Sequence, residues 1–180
     1  AVVTVTEGIR SFVESVAFEG NRAMSDGVLR SLAALETGQP FYVPEVNAAA
    51  DAIALEYANQ GYQAVSVTGT WTPGADGRSV GVTFRVTEGP QVIVDQIIVA
   101  GNVRTRSGVI ENELAFRSGD PLGQDDIIES YRRLGALGLF RRTQISQIRH
   151  SGEEQRQDVL VTVEEARATT WGFGGGPEGG

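Results

Sequence analysis

Pairs of adjacent acidic residues are the first side chains in this sequence that could do chemistry. They are Asp125-Asp126, Glu153-Glu154 and Glu164-Glu165. Two carboxylates can bind a metal ion or share a proton, but neighbouring residues point apart on a helix or a strand. Asp125 and Asp126 suit the first turn of a helix, where the helix dipole favours negative charge. These pairs therefore predict neither a metal site nor acid–base catalysis.

Other catalytic arrangements find equally little support. His150 is the single histidine, it falls in a predicted hairpin turn, and the chain has no cysteine. No motif places a nucleophile against that imidazole. Gly172 and Gly174 resemble the start of a dinucleotide-binding fingerprint, but no helix follows and Pro177 intervenes. We therefore predict a protein that is not an enzyme and uses no metal and no cofactor.

Composition disfavours two further kinds of partner. The chain has 15 basic residues, all of them arginine, against 23 acidic residues, for a net charge of -8. Phosphate backbones attract basic surfaces, so this balance argues against nucleic acid. No apolar run approaches the roughly 18 to 20 residues of a membrane-spanning helix. We expect no nucleic acid partner and no helix that crosses a bilayer.

The elements that position these side chains repeat along the chain. Val86-Thr87-Glu88-Gly89 matches Val5-Thr6-Glu7-Gly8, and Gly101-Asn102 matches Gly20-Asn21, both at a spacing of 81 residues. A weaker copy of the first motif ends at Glu164-Glu165. Repetition at a fixed interval is typical of repeat architectures, so the chain is predicted to hold two units of roughly 80 residues.

Periodicity predicts the order of elements in the first unit. An apolar run over residues 9–18 predicts a strand with Phe12, Val16 and Phe18 on one face. Two helices follow, and the second carries one apolar stripe. The stripe consists of Val46, Ala50, Ile53 and Tyr57. A hairpin over residues 62–71 and 80–86 completes a β-α-α-β-β unit.

The second unit repeats this order and is three or four residues shorter near the end of its second helix, about one helical turn. Two helices between the first and second strands make those strands antiparallel, and the hairpin makes the third parallel to the first. The third strand alternates most regularly and is predicted to be central. The fold class is therefore α+β: two tandem β-α-α-β-β units, each a three-stranded mixed sheet with two helices on one face.

Three features of these units carry a resemblance to a known family. They are the first strand running into Gly-Asn, the exit from the second helix at Gly61-Tyr62 or Gly138-Leu139-Phe140, and the closing Val-Thr-Glu-Gly. Together they resemble the POTRA repeat of outer-membrane assembly factors of the BamA and TamA type, over residues 8–165. The segments Gly119-Asp120-Pro121-Leu122 and 134–140 are similar to the repeats nearest the β-barrel in that family.

The resemblance implies a division of the chain. Residues 1–7 would be the remnant of a preceding repeat, 8–88 and 89–166 two POTRA-like repeats, and 167–180 the start of a missing β-barrel. Trp171-Gly172-Phe173-Gly174-Gly175 looks like the opening of a first barrel strand.

The resemblance also implies a function. The chain would be a periplasmic docking arm of an outer-membrane protein assembly factor, with unfolded outer-membrane proteins, accessory lipoproteins and its own missing barrel as partners. The same repeats would fit the arm of a two-partner-secretion transporter or of an organelle import pore. A purely structural spacer between barrel and accessory proteins is a third alternative.

An exposed sheet edge gives such a unit a physical means of binding an unfolded strand, because its unpaired N–H and C=O groups can bond an extended peptide. The second strand of each unit is the predicted binding edge. In the first unit these residues are Tyr62, Gln63, Ala64, Val65, Ser66 and Val67, and in the second Arg141, Arg142, Thr143, Gln144, Ile145 and Ser146. The alternative is that both edges are merely protected surface, with Arg141, Arg142 and Arg149 as the protecting charges.

The junction between the units is predicted to be a hinge made of Glu88, Gly89 and Pro90. Glycine permits a bend there, and the fixed φ of Pro90 limits it.

Overall fold

The structure of the protein, a computed structural model, describes residues 10–150 and 153–166. Repeat 1 consists of β1 (Phe12–Glu19), α1 (Asp26–Ala33), α2 (Val43–Asn59), β2 (Ser66–Pro73) and β3 (Ser79–Thr87). Repeat 2 consists of β4 (Ile93–Ala100), α3 (Ser107–Asn112), α4 (Gln124–Ala136), β5 (Phe140–His150) and β6 (Glu153–Glu165). The predicted upstream remnant (1–7) and barrel start (167–180) lie outside the described residues.

The helices form where capping and periodicity favour them. The Ser25 hydroxyl accepts a hydrogen bond from the Val28 amide and caps α1. Pro44 lies in the first turn of α2, where its missing N–H costs nothing. All four residues of the predicted stripe on α2 are buried. Helix α4 has 13 residues against 17 in α2, so one turn is lost and the buried face is kept.

Each repeat forms its own three-stranded mixed sheet. The strand orders are β1-β3-β2 and β4-β6-β5. The first strand of each repeat pairs parallel to the third, and the second pairs antiparallel to it. The predicted α+β fold, its topology and its central third strand are confirmed. Strands β1 and β2 are consequently the edges of the first sheet, and β4 and β5 are the edges of the second.

Each repeat also has its own hydrophobic core between sheet and helices. In repeat 1, Tyr57 and Ile53 of α2 pack with Phe84 of β3, all at 0% exposure. In repeat 2, Leu134 of α4 packs with Val161 of β6 in a separate cluster. Since the cores are separate, most of the apolar burial that stabilises a repeat comes from that repeat alone.

The predicted face of the first strand is wrong at one position. Phe12 is 41% exposed, whereas its neighbour Val13 is 1% exposed and packs in the core with Val16. The β1–β3 register shifts between Val13 and Ser15. Such a bulge inserts one residue and breaks the alternation, so strict period two assigns Phe12 to the wrong side.

Candidate functional site

The exposed edge of repeat 1 begins later than the sequence predicts. Strand β2 starts at Ser66, so Ser66 and Val67 lie on the edge, while residues 62–65 form a turn between α2 and β2. The Val65 amide donates to the Tyr62 carbonyl at 3.1 Å, and the Tyr62 ring meets Tyr57 edge-on at 5.6 Å. The prediction that the edge strand includes Tyr62, Gln63, Ala64 and Val65 is therefore wrong. These residues form a turn because Tyr62 packs against the core residue Tyr57 and the segment does not pair with β3.

Strand β2 offers an uncharged edge. Val67, Gly69 and Trp71 alternate toward the helices, and the Trp71 ring lies 5.8 Å from that of Phe41. The alternate positions carry the hydroxyls of Ser66, Thr68, Thr70 and Thr72. Its pairing with β3 shows no register shift over residues 66–73. An uncharged edge strand without bulges is well suited to accept another strand.

The edge of repeat 2 is charged and irregular. All of the predicted residues from Arg141 to Ser146 lie in β5. Arg141 forms an ion pair with Glu164, and Arg142 and Arg149 are exposed on the same strand. The β5–β6 register shifts between Phe140 and Arg142 and again near its far end. Charges and bulges are common means of protecting an edge.

The repeated glutamate has a structural role that sequence reasoning missed. One carboxylate oxygen of Glu88 accepts hydrogen bonds from the Arg22 amide (2.6 Å), the Ala23 amide (2.8 Å) and the Tyr57 hydroxyl (2.8 Å). In repeat 2, Glu165 accepts from the amides of Arg104 (2.9 Å) and Thr105 (2.8 Å). The two repeated motifs therefore contact each other within each repeat. The glutamate that closes the repeat accepts hydrogen bonds from the loop that follows Gly-Asn.

These bonds shift the titration of the groups that make them. Partial burial would raise the pKa of Glu88, but the bonds from Arg22, Ala23 and Tyr57 outweigh it, so the pKa lies below its usual value. The guanidinium of Arg104, with its amide, lowers the pKa of Glu165 to about 2. Burial and the Glu88 carboxylate raise the pKa of Tyr57, which stays a protonated donor. Both glutamates are therefore ionised acceptors at neutral pH.

The repeated glycine permits this contact. Gly20 has φ +85°, and a Cβ there would lie 2.2 Å from the Val86 carbonyl oxygen. Gly101 has φ +84°, and a Cβ there would lie 2.1 Å from the Val163 carbonyl oxygen. The asparagine that follows bonds its own loop, since Asn21 donates to the Met24 carbonyl at 2.9 Å. The interpretation of Gly-Asn as a turn is correct, and close backbone approach is the reason for the glycine.

The predicted hinge lies in a hydrogen-bonded joint. Glu88 is anchored in repeat 1 as described, and Gly89 has φ +70°. The Val92 amide donates to the Gly61 carbonyl, and the Leu122 amide donates to the Val92 carbonyl, both at 2.9 Å. The first of these bonds joins the two repeats, and the second lies within repeat 2.

Glutamine side chains add further bonds across the joint. Gln63 donates to the Leu122 carbonyl at 3.1 Å and accepts from the Gln147 amide group at 3.0 Å. Gln91 donates to the Gln60 carbonyl at 2.8 Å. The turn that was predicted as a binding edge thus contacts repeat 2. Together with the backbone bond from Val92 to Gly61, these contacts oppose bending at the hinge.

Substitution of Gly123 by alanine is expected to separate the repeats without unfolding them. A Cβ at Gly123 would lie 2.3 Å from the Asn59 carbonyl oxygen at the end of α2, whereas its φ of -73° and ψ of 150° suit alanine. The collision with backbone is therefore at the joint, because the other close atom, Asp126 Oδ2 at 2.9 Å, is the end of a side chain that can rotate away. Residual dipolar couplings should fit one alignment tensor in the wild type and two different tensors in Gly123→Ala.

Gly135→Ala is the matched control, because a Cβ at Gly135 meets no atom within 4 Å. That variant should keep one tensor. A single unchanged tensor in Gly123→Ala would show that the joint does not depend on this close contact.

The acidic pairs lie where a structural role suffices. Asp125 and Asp126 occupy the first turn of α4. Burial, with the charges of Asp120 and Asp125, raises the pKa of Asp126. Across residues 10–150 and 153–166, no group of three or more His, Asp or Glu side chains is placed to hold a metal ion. Within the same residues, no helix is long and apolar enough to span a membrane.

The structure contains two copies of one β-α-α-β-β unit, joined between Thr87 and Ile93, and each copy has its third strand at the centre of its sheet. This arrangement defines a tandem α+β repeat protein. The family model of POTRA, the surface antigen variable number repeat, matches residues 11–89 and 92–166. The chain belongs to the POTRA family, as the sequence resemblance predicts.

Relatives with assigned names are similar over nearly the whole chain. The outer membrane protein assembly factor BamA of Neorickettsia risticii is 28% identical over 178 residues, covering 97% of this chain and 23% of that protein. BamA of Neisseria meningitidis serogroup B is 23% identical over 164 residues, covering 91% of this chain and 21% of that protein. The chain thus spans less than a quarter of these relatives.

A solved structure shares the fold. The crystal structure of BamA from Haemophilus ducreyi lacking POTRA domains 1–3 superposes with a TM-score of 0.68 at 19% identity, covering 89% of this chain and 29% of that one.

Proposed function

We propose that this chain is the periplasmic docking arm of an outer-membrane β-barrel assembly factor, with residues 8–88 and 89–166 as its two POTRA repeats. Two lines of support favour this function. The relatives that match over most of the chain are named outer membrane protein assembly factors. The repeats also present sheet edges, of which β2 is uncharged over residues 66–73. In this role the arm binds unfolded outer-membrane proteins and contacts accessory lipoproteins.

The observation that carries the binding step is the β2 edge. Strand β2 pairs with β3 along one side of its backbone. Within residues 10–150 and 153–166, no strand pairs with its other side. The other side can bond an extended client as an added strand. Backbone bonds do not discriminate between side chains, which suits a protein that must accept many unfolded sequences. Amphipathic barrel strands would place apolar residues toward Trp71 and polar ones toward the threonines.

Site-specific photo-crosslinking tests this binding. A benzoylphenylalanine at Thr70, exposed on β2, should crosslink to a small outer-membrane β-barrel protein diluted from urea. The matched control places the same group at Asp51, exposed on α2. We expect adducts at position 70 and few at position 51. Equal yields at both positions would contradict binding at the edge.

A structural spacer is the second candidate, and the joint favours it. The backbone bond from Val92 to Gly61 and the glutamine side-chain bonds hold repeat 2 against repeat 1, and such contacts suit a spacer. Crosslinks at neither position, together with one alignment tensor for both repeats, would favour the spacer. The arm of a secretion transporter or an import pore would crosslink at Thr70 as well, and would prefer its own extended substrate over a barrel protein.

A further inference from the structure

The edge strands β2 and β5 differ in one hydrogen bond to a helix. In repeat 2, the hydroxyl of Tyr131 on α4 lies 2.8 Å from the amide nitrogen of Ile145 on β5 and accepts its N–H. The same hydroxyl lies 3.5 Å from the Ile145 carbonyl oxygen and donates to it. Because the Ile145 N–H is bonded to a residue of α4, it is not bonded to the neighbouring strand β6. Ile145 therefore directs its N–H away from the sheet, where an added strand would bond it.

Repeat 1 has the same edge position without the tyrosine. Thr70 donates its hydroxyl to the Thr83 carbonyl, and Ser146 donates to the Leu160 carbonyl, so these two residues are equivalent. Gly69, which precedes Thr70, is therefore the counterpart of Ile145. At the 81-residue spacing of the helices, Ala50 is the counterpart of Tyr131. Alanine has no group that could bond the edge.

Charge and regularity differ in the same direction. Strand β2 has no charged residue and no register shift, whereas β5 carries Arg141, Arg142 and Arg149 and two shifts. The Phe41–Trp71 pair adds an apolar surface beside β2. Every one of these differences favours addition of an uncharged strand at β2 over β5.

We infer that the edges are not equivalent: β2 is the docking edge for an extended, uncharged polypeptide segment with alternating apolar residues, and the Tyr131 hydroxyl closes β5 at Ile145. This inference rests on the proposed strand-binding function and selects the edge that performs it. Tyr131 is a positioning residue that occupies the edge in place of a client. Its side chain is 38% exposed, so water can replace its hydroxyl when the bond opens.

Hydrogen exchange tests the closure without any ligand. Tyr131→Phe keeps the ring and removes the hydroxyl, so the Ile145 amide should exchange roughly three- to tenfold faster, the ratio expected for loss of one hydrogen bond. The control is Tyr42→Phe, because the Tyr42 hydroxyl is exposed and makes no hydrogen bond within the described residues. That variant should leave Ile145 unchanged. An unchanged Ile145 rate in Tyr131→Phe would overturn the inference.

Amide-shift titration with a capped peptide of alternating valine and threonine tests the choice of edge. In the wild type, shifts should occur over residues 66–73 and be small over 143–147. In Tyr131→Phe, shifts over 143–147 should increase. Equal shifts at both edges of the wild type would overturn the inference and leave the proposed strand binding standing. Shifts at neither edge in either variant would overturn both.

Discussion

Gly20→Ala is expected to unfold repeat 1 and leave repeat 2 folded. An alanine in the left-handed region costs about 1–2 kcal/mol. The Cβ would also lie 2.2 Å from the carbonyl oxygen of Val86. That residue is held in the sheet, because it pairs with Val67 of β2 and follows Arg85, which pairs with Glu19 of β1. We expect a total loss of about 4 kcal/mol or more, a large part of the 5–15 kcal/mol that stabilises a typical domain. Amide spectra should show lost dispersion for residues 12–87 and retained dispersion for residues 93–150.

Gly38→Ala is the control that separates the cost of a left-handed backbone from the cost of the steric clash. Gly38 has a similar φ of +91°, but a Cβ there meets no atom within 4 Å. This control should lose only the about 1–2 kcal/mol of the left-handed backbone and keep repeat 1 folded. Equal losses in the two variants would show that close approach to β3 is not what requires glycine at position 20.

Glu88→Ala is expected to destabilise repeat 1 by about 3 kcal/mol. The substitution removes the acceptor of three hydrogen bonds and leaves the O–H of Tyr57, a fully buried residue, without that acceptor. Glu88→Gln keeps an oxygen acceptor and loses only the charge, so its loss should be about 1 kcal/mol. Urea unfolding monitored through repeat 1 amides measures both. Glu88→Ala should lose more stability than Glu88→Gln, and the reverse order would contradict the prediction.

A double-mutant cycle with Tyr57→Phe isolates the buried bond. Because the Tyr57 hydroxyl bonds Glu88 directly, the two substitutions should be non-additive, with a coupling of about 1 kcal/mol. Additive losses would contradict a direct contribution of this bond. Glu45→Ala is a suitable control, since Glu45 is exposed and its carboxylate accepts a hydrogen bond from Gln39.

The pH dependence has a definite sign. The pKa of Glu88 is lower in the folded state than the usual value of 4.5. Its contribution is therefore complete above about pH 4.5 and is lost as the pH falls through the folded-state pKa. In Glu88→Gln, repeat 1 should lose less stability as the pH falls. In the same variant, repeat 2 should still lose stability at low pH, since Arg104 holds the pKa of Glu165 at about 2.

Much of the fold could be predicted because local signals and topology agree. The 81-residue repeat, the stripe from Val46 to Tyr57 and the alternation of β3 predict the order of elements, and two helices followed by a hairpin predict the strand order. The same reasoning placed Phe12 on the wrong face, because a bulge is one extra residue that no periodicity reveals.

The candidate site was predicted less well, for a physical reason. Residues 62–65 have strand composition, yet Tyr62 packs on Tyr57 and Gln63 bonds Leu122, so tertiary contacts draw this segment into a turn. The predicted edge in repeat 2 was placed correctly on β5. Its closure by Tyr131 depends on a helix and a strand that are 14 residues apart in sequence and 2.8 Å apart in space.

The sequence by itself determined the repeat, the α+β class, the family and the presence of a sheet edge in each unit, because apolar periodicity and turn residues act locally. Only the tertiary structure decided what the repeated residues do. Glu88 meets Arg22 and Gly20 meets Val86 across more than sixty positions of chain. Such contacts depend on how β1 and β3 pair. Pairing also brings Gly123 against Asn59 at the joint, and no local pattern encodes that distance.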